Sequence, residues 1–108
     1  IDYKEFDLMK KSAIFINASR GQTVNEKALV DALNNNKILA AGLDVYETEP
    51  IDPENPLLKM TNVITLPHIG SATAKTRFDM AMLAAENLVK AVLGKTVPNM
   101  VPELKDLV

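Results

Sequence analysis

Three short apolar runs, separated by an amphipathic segment and an acidic loop, constrain the fold of this chain most strongly. The first run lies within residues 12–17, is rich in β-branched residues and ends at a polar cluster. A run of this kind is typical of a strand buried on both faces of a parallel sheet. Two more strands are predicted at residues 38–45 and 63–66.

A helix is predicted between the first two strands. Thr23 and Glu26 have the spacing of a capping box, with Thr23 as N-cap and Glu26 as its partner. The helix should extend to about Asn35, because asparagines at 34–36 tolerate the left-handed conformation that ends helices. Strand, helix and strand together match one right-handed βαβ unit.

In the second half of the chain, the sequence predicts a loop before the third strand and a long helix after it. Residues 46–55 are acidic and contain two prolines, so they should form a loop, and Pro56 should begin a helical turn. The long helix should be capped by Ser71 or Thr73 and end before Gly94. We expect a domain boundary that separates residues 1–70 from 71–108, with an extended tail from residue 95.

Composition excludes several classes of function. The 108 residues contain no cysteine, which excludes disulfides, thiolate metal sites and cysteine nucleophiles, and we expect no metal. A net charge of −2 gives no reason to expect nucleic acid or a membrane as partner. No apolar run approaches the ~20 residues that span a bilayer. We expect a cytoplasmic protein and, because the sequence opens on Ile1, a fragment of a longer chain.

Residues that can carry chemistry follow each predicted strand. Arg20 follows the first, Asp44 and Glu49 follow the second, and His68, the only histidine, follows the third. The carboxyl ends of parallel strands lie at one edge of a sheet, so these four side chains can converge there. Each also has a structural alternative: a solvated cation, a turn cap, one acid in an acidic loop, or a histidine that fills a polar gap.

These residue types suit chemistry at a carboxylate and a carbonyl. Arginine offers a planar fork to a carboxylate, and histidine can protonate a carbonyl oxygen as a hydride arrives. A glutamate bound to that histidine fixes its tautomer and stabilises its protonated form. An aspartate at the sheet edge can hold an amide donor of a ligand. The residue types alone do not identify hydride transfer.

Three blocks of sequence occur in order along the chain, at residues 14–21, 41–50 and 66–71. Together, IFINASRG, AGLDVYETEP and LPHIGS resemble the C-terminal half of the NAD(P)-dependent D-isomer-specific 2-hydroxyacid dehydrogenases. The chain is most similar to their glyoxylate, hydroxypyruvate and 2-ketogluconate reductase branch. The resemblance implies an α/β fold: the C-terminal half of a Rossmann-like doubly wound parallel sheet, with a long helix returning towards a substrate domain.

The resemblance also implies roles for individual residues. Arg20 would bind the carboxylate and keto oxygen of the substrate, His68 would be the acid/base, and Glu49 its paired carboxylate. Asp44 would contact the nicotinamide carboxamide. The other implied contacts to NAD or NADP are Ala18, Ser19, Arg20, His68, Gly70 and Ser71. The whole protein would reduce a small 2-keto acid to the D-2-hydroxy acid as a homodimer.

One part of the family pattern is missing from this sequence. The four glycines, at positions 21, 42, 70 and 94, lack the Gly-x-Gly-x-x-Gly spacing that binds a pyrophosphate. We therefore expect the isolated chain to catalyse nothing. Two alternatives stay open: an NAD-binding protein similar to transcriptional corepressors, and an inactive remnant.

Overall fold

The computed structural model describes residues 1–103 and contains one parallel sheet of three strands. The strands are β1 (Ile14–Asn17), β2 (Ala40–Leu43) and β3 (Val63–Thr65), in the order β1-β2-β3. Ile16 pairs with Gly42, which in turn pairs with Ile64. The α/β class and the parallel arrangement predicted from the sequence are confirmed.

Within the described residues, helices and short 3₁₀ turns accompany the sheet. The helices are α1 (Tyr3–Asp7), α2 (Glu26–Asn34) and α3 (Ala74–Val92), and the 3₁₀ turns are Gly21–Thr23 and Pro56–Lys59. The chain forms two compact units, of which the first is Ile1–Gly70 and the second begins at Ser71. No helix among residues 1–103 combines the length and the apolar character needed to cross a membrane.

The N-terminus of α2 differs from the prediction. Asn25 is the N-cap, and its side-chain oxygen accepts a hydrogen bond from the Ala28 amide at 3.2 Å. Thr23 lies in the preceding 3₁₀ turn, where its hydroxyl donates to the Arg20 carbonyl at 2.6 Å. The prediction of Thr23 as N-cap is wrong, because this turn delays the start of the helix and asparagine is an equally good cap.

The hydrophobic core lies on one face of the sheet only. Phe6 of α1 packs edge-on against Phe15 of β1, with ring centroids 5.3 Å apart. Side chains alternate along a strand, so Ile14 and Ile16 point to the opposite face, where they are 62% and 73% exposed. The expectation that β1 is buried on both faces is therefore wrong for the described residues. The buried core consists of Phe6, Val24, Ala28, Leu29, Ala32, Leu33, Ile38, Ala41, Leu43, Tyr46 and Leu57.

The ends of the other elements follow from local chemistry. Helix α2 ends at Asn34 with Asn35 as its C-cap, and Asn36 adopts the left-handed conformation with φ of 51°. Thr73 caps α3, and Gly94 follows its end with φ of 63°. Helix α3 has no buried side chain. The last five residues of the predicted extended tail, 104–108, lie outside the described residues.

The cap of α2 can be tested by substitution. We expect Asn25→Ala to lower the free energy of unfolding by about 1 kcal/mol, because the Ala28 amide loses its acceptor. Thr23→Ala, the matched control, should cost less, since Thr23 lies outside α2. Urea unfolding followed by circular dichroism measures both. A larger loss for Thr23→Ala than for Asn25→Ala would contradict this assignment.

Candidate active site

The loops that follow the three strands begin side by side at one edge of the sheet. The Asp44 amide donates to the Asn17 carbonyl at 2.9 Å, which joins the end of β2 to the end of β1. The Leu66 amide donates to the Leu43 carbonyl at 2.8 Å, which joins the end of β3 to β2. This shared edge is where parallel α/β sheets place their ligands.

Asn17, a buried residue that the sequence analysis did not single out, shapes the loop that carries Arg20. Its Oδ1 accepts from the amide and the hydroxyl of Ser19, at 3.1 and 2.9 Å, and its Nδ2 donates to the Arg20 carbonyl at 3.1 Å. Ala18, Ser19 and Arg20 are all exposed. Arg20 Nη1 donates to the Ser19 carbonyl at 2.7 Å. A polar residue at the very end of an apolar run is the signal that could have identified Asn17.

Gly21 allows the Arg20 loop to pack directly on the loop after β2. A Cβ atom at this position would overlap the backbone carbonyl of Tyr46. Among the described residues, Gly94 and not Gly21 is the glycine with a positive φ. Gly21 is needed instead for a close approach of two backbones.

Glu49 and His68 contact each other through their side chains. Glu49 Oε2 lies 2.7 Å from His68 Nδ1, while Oε1 accepts from the Tyr46 amide at 3.0 Å. An ionised carboxylate can only accept, so Nδ1 carries the hydrogen. In the described part of the chain, Nε2 of His68 makes no hydrogen bond, and 43% of the side chain is exposed. The ring is therefore oriented by Glu49, and Nε2 is left available for a hydrogen bond.

The charge on Glu49 is favoured by its neighbours. The hydrogen bond from His68 lowers the pKa of Glu49 below its ordinary value, and the Tyr46 amide adds to this effect. The positive charge of Arg20 lowers the pKa of Glu49 further, although the two side chains form no ion pair within 4 Å among the described residues. Arg20 therefore acts on Glu49 through its charge alone, whereas His68 acts through a direct hydrogen bond.

Tyr46, which the sequence analysis also did not identify as a site residue, links the end of β3 to the loop after β2. Its hydroxyl lies 2.9 Å from the Leu66 carbonyl and 3.2 Å from the Leu43 carbonyl. Burial raises the pKa of Tyr46, so the phenol stays a hydrogen-bond donor at neutral pH. The backbone of Tyr46 also contacts Glu49, which makes this residue a link between Glu49 and the segment that leads to His68.

Asp44 is buried and holds the backbone that follows His68. Its Oδ1 accepts from the Ile69 amide and its Oδ2 from the Gly70 amide, both at 2.7 Å. The implied contact of Asp44 with a nicotinamide carboxamide stays a prediction, as do the cofactor contacts of Gly70 and Ser71. Gly70 ends the first compact unit and Ser71 begins the second.

A cleft of about 480 Å³ opens beside the Glu49–His68 pair. The residues that line it are Tyr46, Glu49, Pro50, Ile51, Pro67 and His68. Its volume falls within the range of sites for small molecules. Among residues 1–103, no cluster of three or more histidine, cysteine or carboxylate side chains is arranged to hold a metal ion.

Comparison with known proteins identifies the family of this chain. Residues 1–70 match the family described as D-isomer specific 2-hydroxyacid dehydrogenase, NAD binding domain. The chain belongs to this family. The resemblance drawn from the three sequence blocks is thereby confirmed.

Relatives in the family and solved structures are similar over nearly the whole chain. Glyoxylate/hydroxypyruvate reductase B of Enterobacter sp. (strain 638) is 58% identical over 97 residues, or 90% of this chain and 30% of the relative. The NADPH-dependent glyoxylate/hydroxypyruvate reductase of Sinorhizobium meliloti, crystallised with NADP and malonate, is 40% identical with a TM-score of 0.88. That match covers 95% of this chain and 32% of the other.

A glyoxylate reductase from Paecilomyes thermophila is 41% identical with a TM-score of 0.90, over 97% of this chain and 32% of the other. The chain thus spans only about a third of the length of the relatives it matches, 30% of the Enterobacter reductase and 32% of each of these two structures.

The Glu49–His68 contact predicts how the pKa of Glu49 responds to substitution. His68→Asn removes the imidazole but keeps a residue that tolerates the left-handed backbone found at position 68. We expect the pKa of Glu49 to rise towards its ordinary value of 4.5, because its largest stabilising hydrogen bond is lost. Carboxyl ¹³C NMR titration measures this change. Glu54, which pairs with Lys59, is the internal control and should not shift.

The same contact gives stability a defined pH dependence. A folded-state pKa below the unfolded value means that ionised Glu49 stabilises the fold above about pH 4.5, and that this contribution is lost as the pH falls. Glu49→Gln should therefore lose less stability than the unaltered chain between about pH 5 and pH 3. Equal losses in both proteins would contradict the pairing.

Proposed function

We propose that this chain contributes the acid/base and substrate-anchoring residues of an oxidoreductase. The whole protein would reduce a small 2-keto acid of the glyoxylate or hydroxypyruvate type to the D-2-hydroxy acid, with NADPH or NADH as cofactor. The observation that supports this most directly is the 2.7 Å contact between Glu49 and His68, which orients the ring through Nδ1 and leaves Nε2 available. Arg20 is exposed in the loop that follows β1. The names of the relatives support the substrate class.

In this reaction, the chain would supply one proton donor, His68, and one group that binds the substrate carboxylate, Arg20. When the imidazole is protonated, Nε2–H of His68 donates to the keto oxygen, and in the reverse direction Nε2 takes the proton from the hydroxyl. The carboxylate of Glu49 stabilises the cationic ring between these events. The guanidinium of Arg20 binds the substrate carboxylate through its remaining N–H groups. Bound NAD(P)H supplies the hydride to the carbonyl carbon.

The nicotinamide end of such a cofactor would bind at the edge of the sheet. Ala18, Ser19 and Gly70 are small and exposed there, which supports this placement. The pyrophosphate needs a different site, because no glycine in residues 1–103 has the phosphate-binding spacing. We propose that residues 1–70 are part of the nucleotide-binding domain and that α3 returns to the substrate domain.

Localisation and assembly belong to the same proposal. The absence of cysteine is compatible with a reducing cytoplasm. A homodimer is the assembly that the family resemblance implies, and sedimentation of the whole protein would test it.

A chimaeric enzyme tests the proposed activity. The 97 matched residues of this chain would replace their counterparts in the Enterobacter reductase, whose remaining length supplies what this chain does not cover. We expect glyoxylate-dependent oxidation of NADPH, measured by absorbance. His68→Gln should lower kcat by about 10²- to 10⁴-fold while NADPH still binds, because the proton donor is lost.

The controls separate the alternatives. The isolated 108-residue chain should show no turnover. Retention of kcat by His68→Gln, or a folded chimaera that binds NADPH without turnover, would contradict a catalytic role and favour the corepressor-like or inactive alternatives.

A further inference from the structure

We propose that Asp44 is a positioning residue, whose buried carboxylate fixes the backbone after His68 and thereby aims the imidazole at Glu49. This inference rests on the proposed function only for the proton transfer that the imidazole of His68 would carry out. The positioning itself is independent of any turnover by this chain.

Both oxygens of the Asp44 carboxylate accept hydrogen bonds from one short stretch of backbone. Asp44 is only 6% exposed, and each of its two oxygens accepts one amide hydrogen, from Ile69 and from Gly70, at 2.7 Å. Hydrogen bonds to an ionised carboxylate are short and stronger than neutral ones. A buried charge persists when it is satisfied in this way, so Asp44 and the two amides form one unit.

The residue next to this unit has an unusual backbone. His68 has φ of +54°, in the left-handed region that few residues other than glycine adopt. Such a conformation persists when contacts on both sides impose it. Before His68, the Leu66 amide is held by Leu43, and after it, Ile69 and Gly70 are held by Asp44.

Asp44 is itself anchored well enough to act in this way. Its amide donates to the Asn17 carbonyl at 2.9 Å, so it is tied to the end of β1. Gly70 is matched to it, because a Cβ atom there would lie 3.0 Å from Asp44 Oδ2 and press on the carboxylate. Gly70 does not have a positive φ. An alanine there would therefore act by pressing its Cβ atom against Asp44 Oδ2, and not through backbone strain.

A test on the 108-residue chain uses Glu49 as a reporter that Asp44 does not touch. In Asp44→Asn, one of the two amides faces an NH₂ group, so we expect at least about tenfold faster hydrogen exchange at Ile69 or Gly70. The loosened His68 should contact Glu49 less, and the pKa of Glu49 should rise. Loss of the negative charge alone would lower the pKa of Glu49, so the direction separates positioning from simple electrostatics.

Two further variants make the result decisive. Asp52→Asn, which alters an exposed aspartate bound to the Glu54 amide, is the charge-matched control and should leave Glu49 and both amides unchanged. Gly70→Ala keeps all charges and should also raise the pKa of Glu49. If Asp44→Asn does not fold, this second variant alone tests whether Asp44 positions His68. An unchanged or lowered pKa of Glu49 in the folded variants would overturn the proposal.

Discussion

The contact between Glu49 and His68 depends on the loop that follows β2. This loop contains Glu49 itself, and it also contains Tyr46 and Asp44, which bind the backbone on either side of His68. Tyr46 joins this loop to the end of β3, and Asp44 joins it to the backbone after His68. On the other side, Gly21 lets the Arg20 turn approach the Tyr46 carbonyl. Three segments that are distant in sequence are therefore held together, by hydrogen bonds from side chains to backbone groups and by one close approach of two backbones.

The left-handed backbone at His68 shows how the site is held. A non-glycine residue in this region costs about 1–3 kcal/mol, so the surrounding contacts must outweigh this strain. Charge-assisted hydrogen bonds contribute about 1.5–3 kcal/mol each, and Asp44 makes two of them immediately after His68. The fold can thus maintain a strained backbone at His68, the residue that we propose as the proton donor.

The sequence predicted the parallel strands and the ends that carry Arg20, Asp44, Glu49 and His68, because short apolar runs and helix caps are local signals. It failed where a distant group decides. Thr23 and Asn25 are both good caps, and the turn before α2 selected the second. Burial of Ile14 and Ile16 depends on what covers that face of the sheet, which their own alternation does not reveal.

Asn17 and Tyr46 were missed for the same reason. The role of Asn17 depends on bonds to the turn beyond it, and that of Tyr46 on a carbonyl twenty residues away. The role of Gly21 likewise depends on a close neighbour that belongs to another loop. Local patterns therefore predicted which residues reach the edge of the sheet, and long-range contacts determined how those residues are oriented.

The tautomer of His68 reports directly on the contact with Glu49. Because the chain has one histidine, ¹⁵N NMR correlates a single pair of ring nitrogens with the ring protons. If Glu49 orients the ring, the neutral imidazole carries its hydrogen on Nδ1 and donates it to Glu49, and Glu49→Gln removes this preference. A neutral ring with its hydrogen on Nε2 in the unaltered chain would show that Glu49 does not orient it.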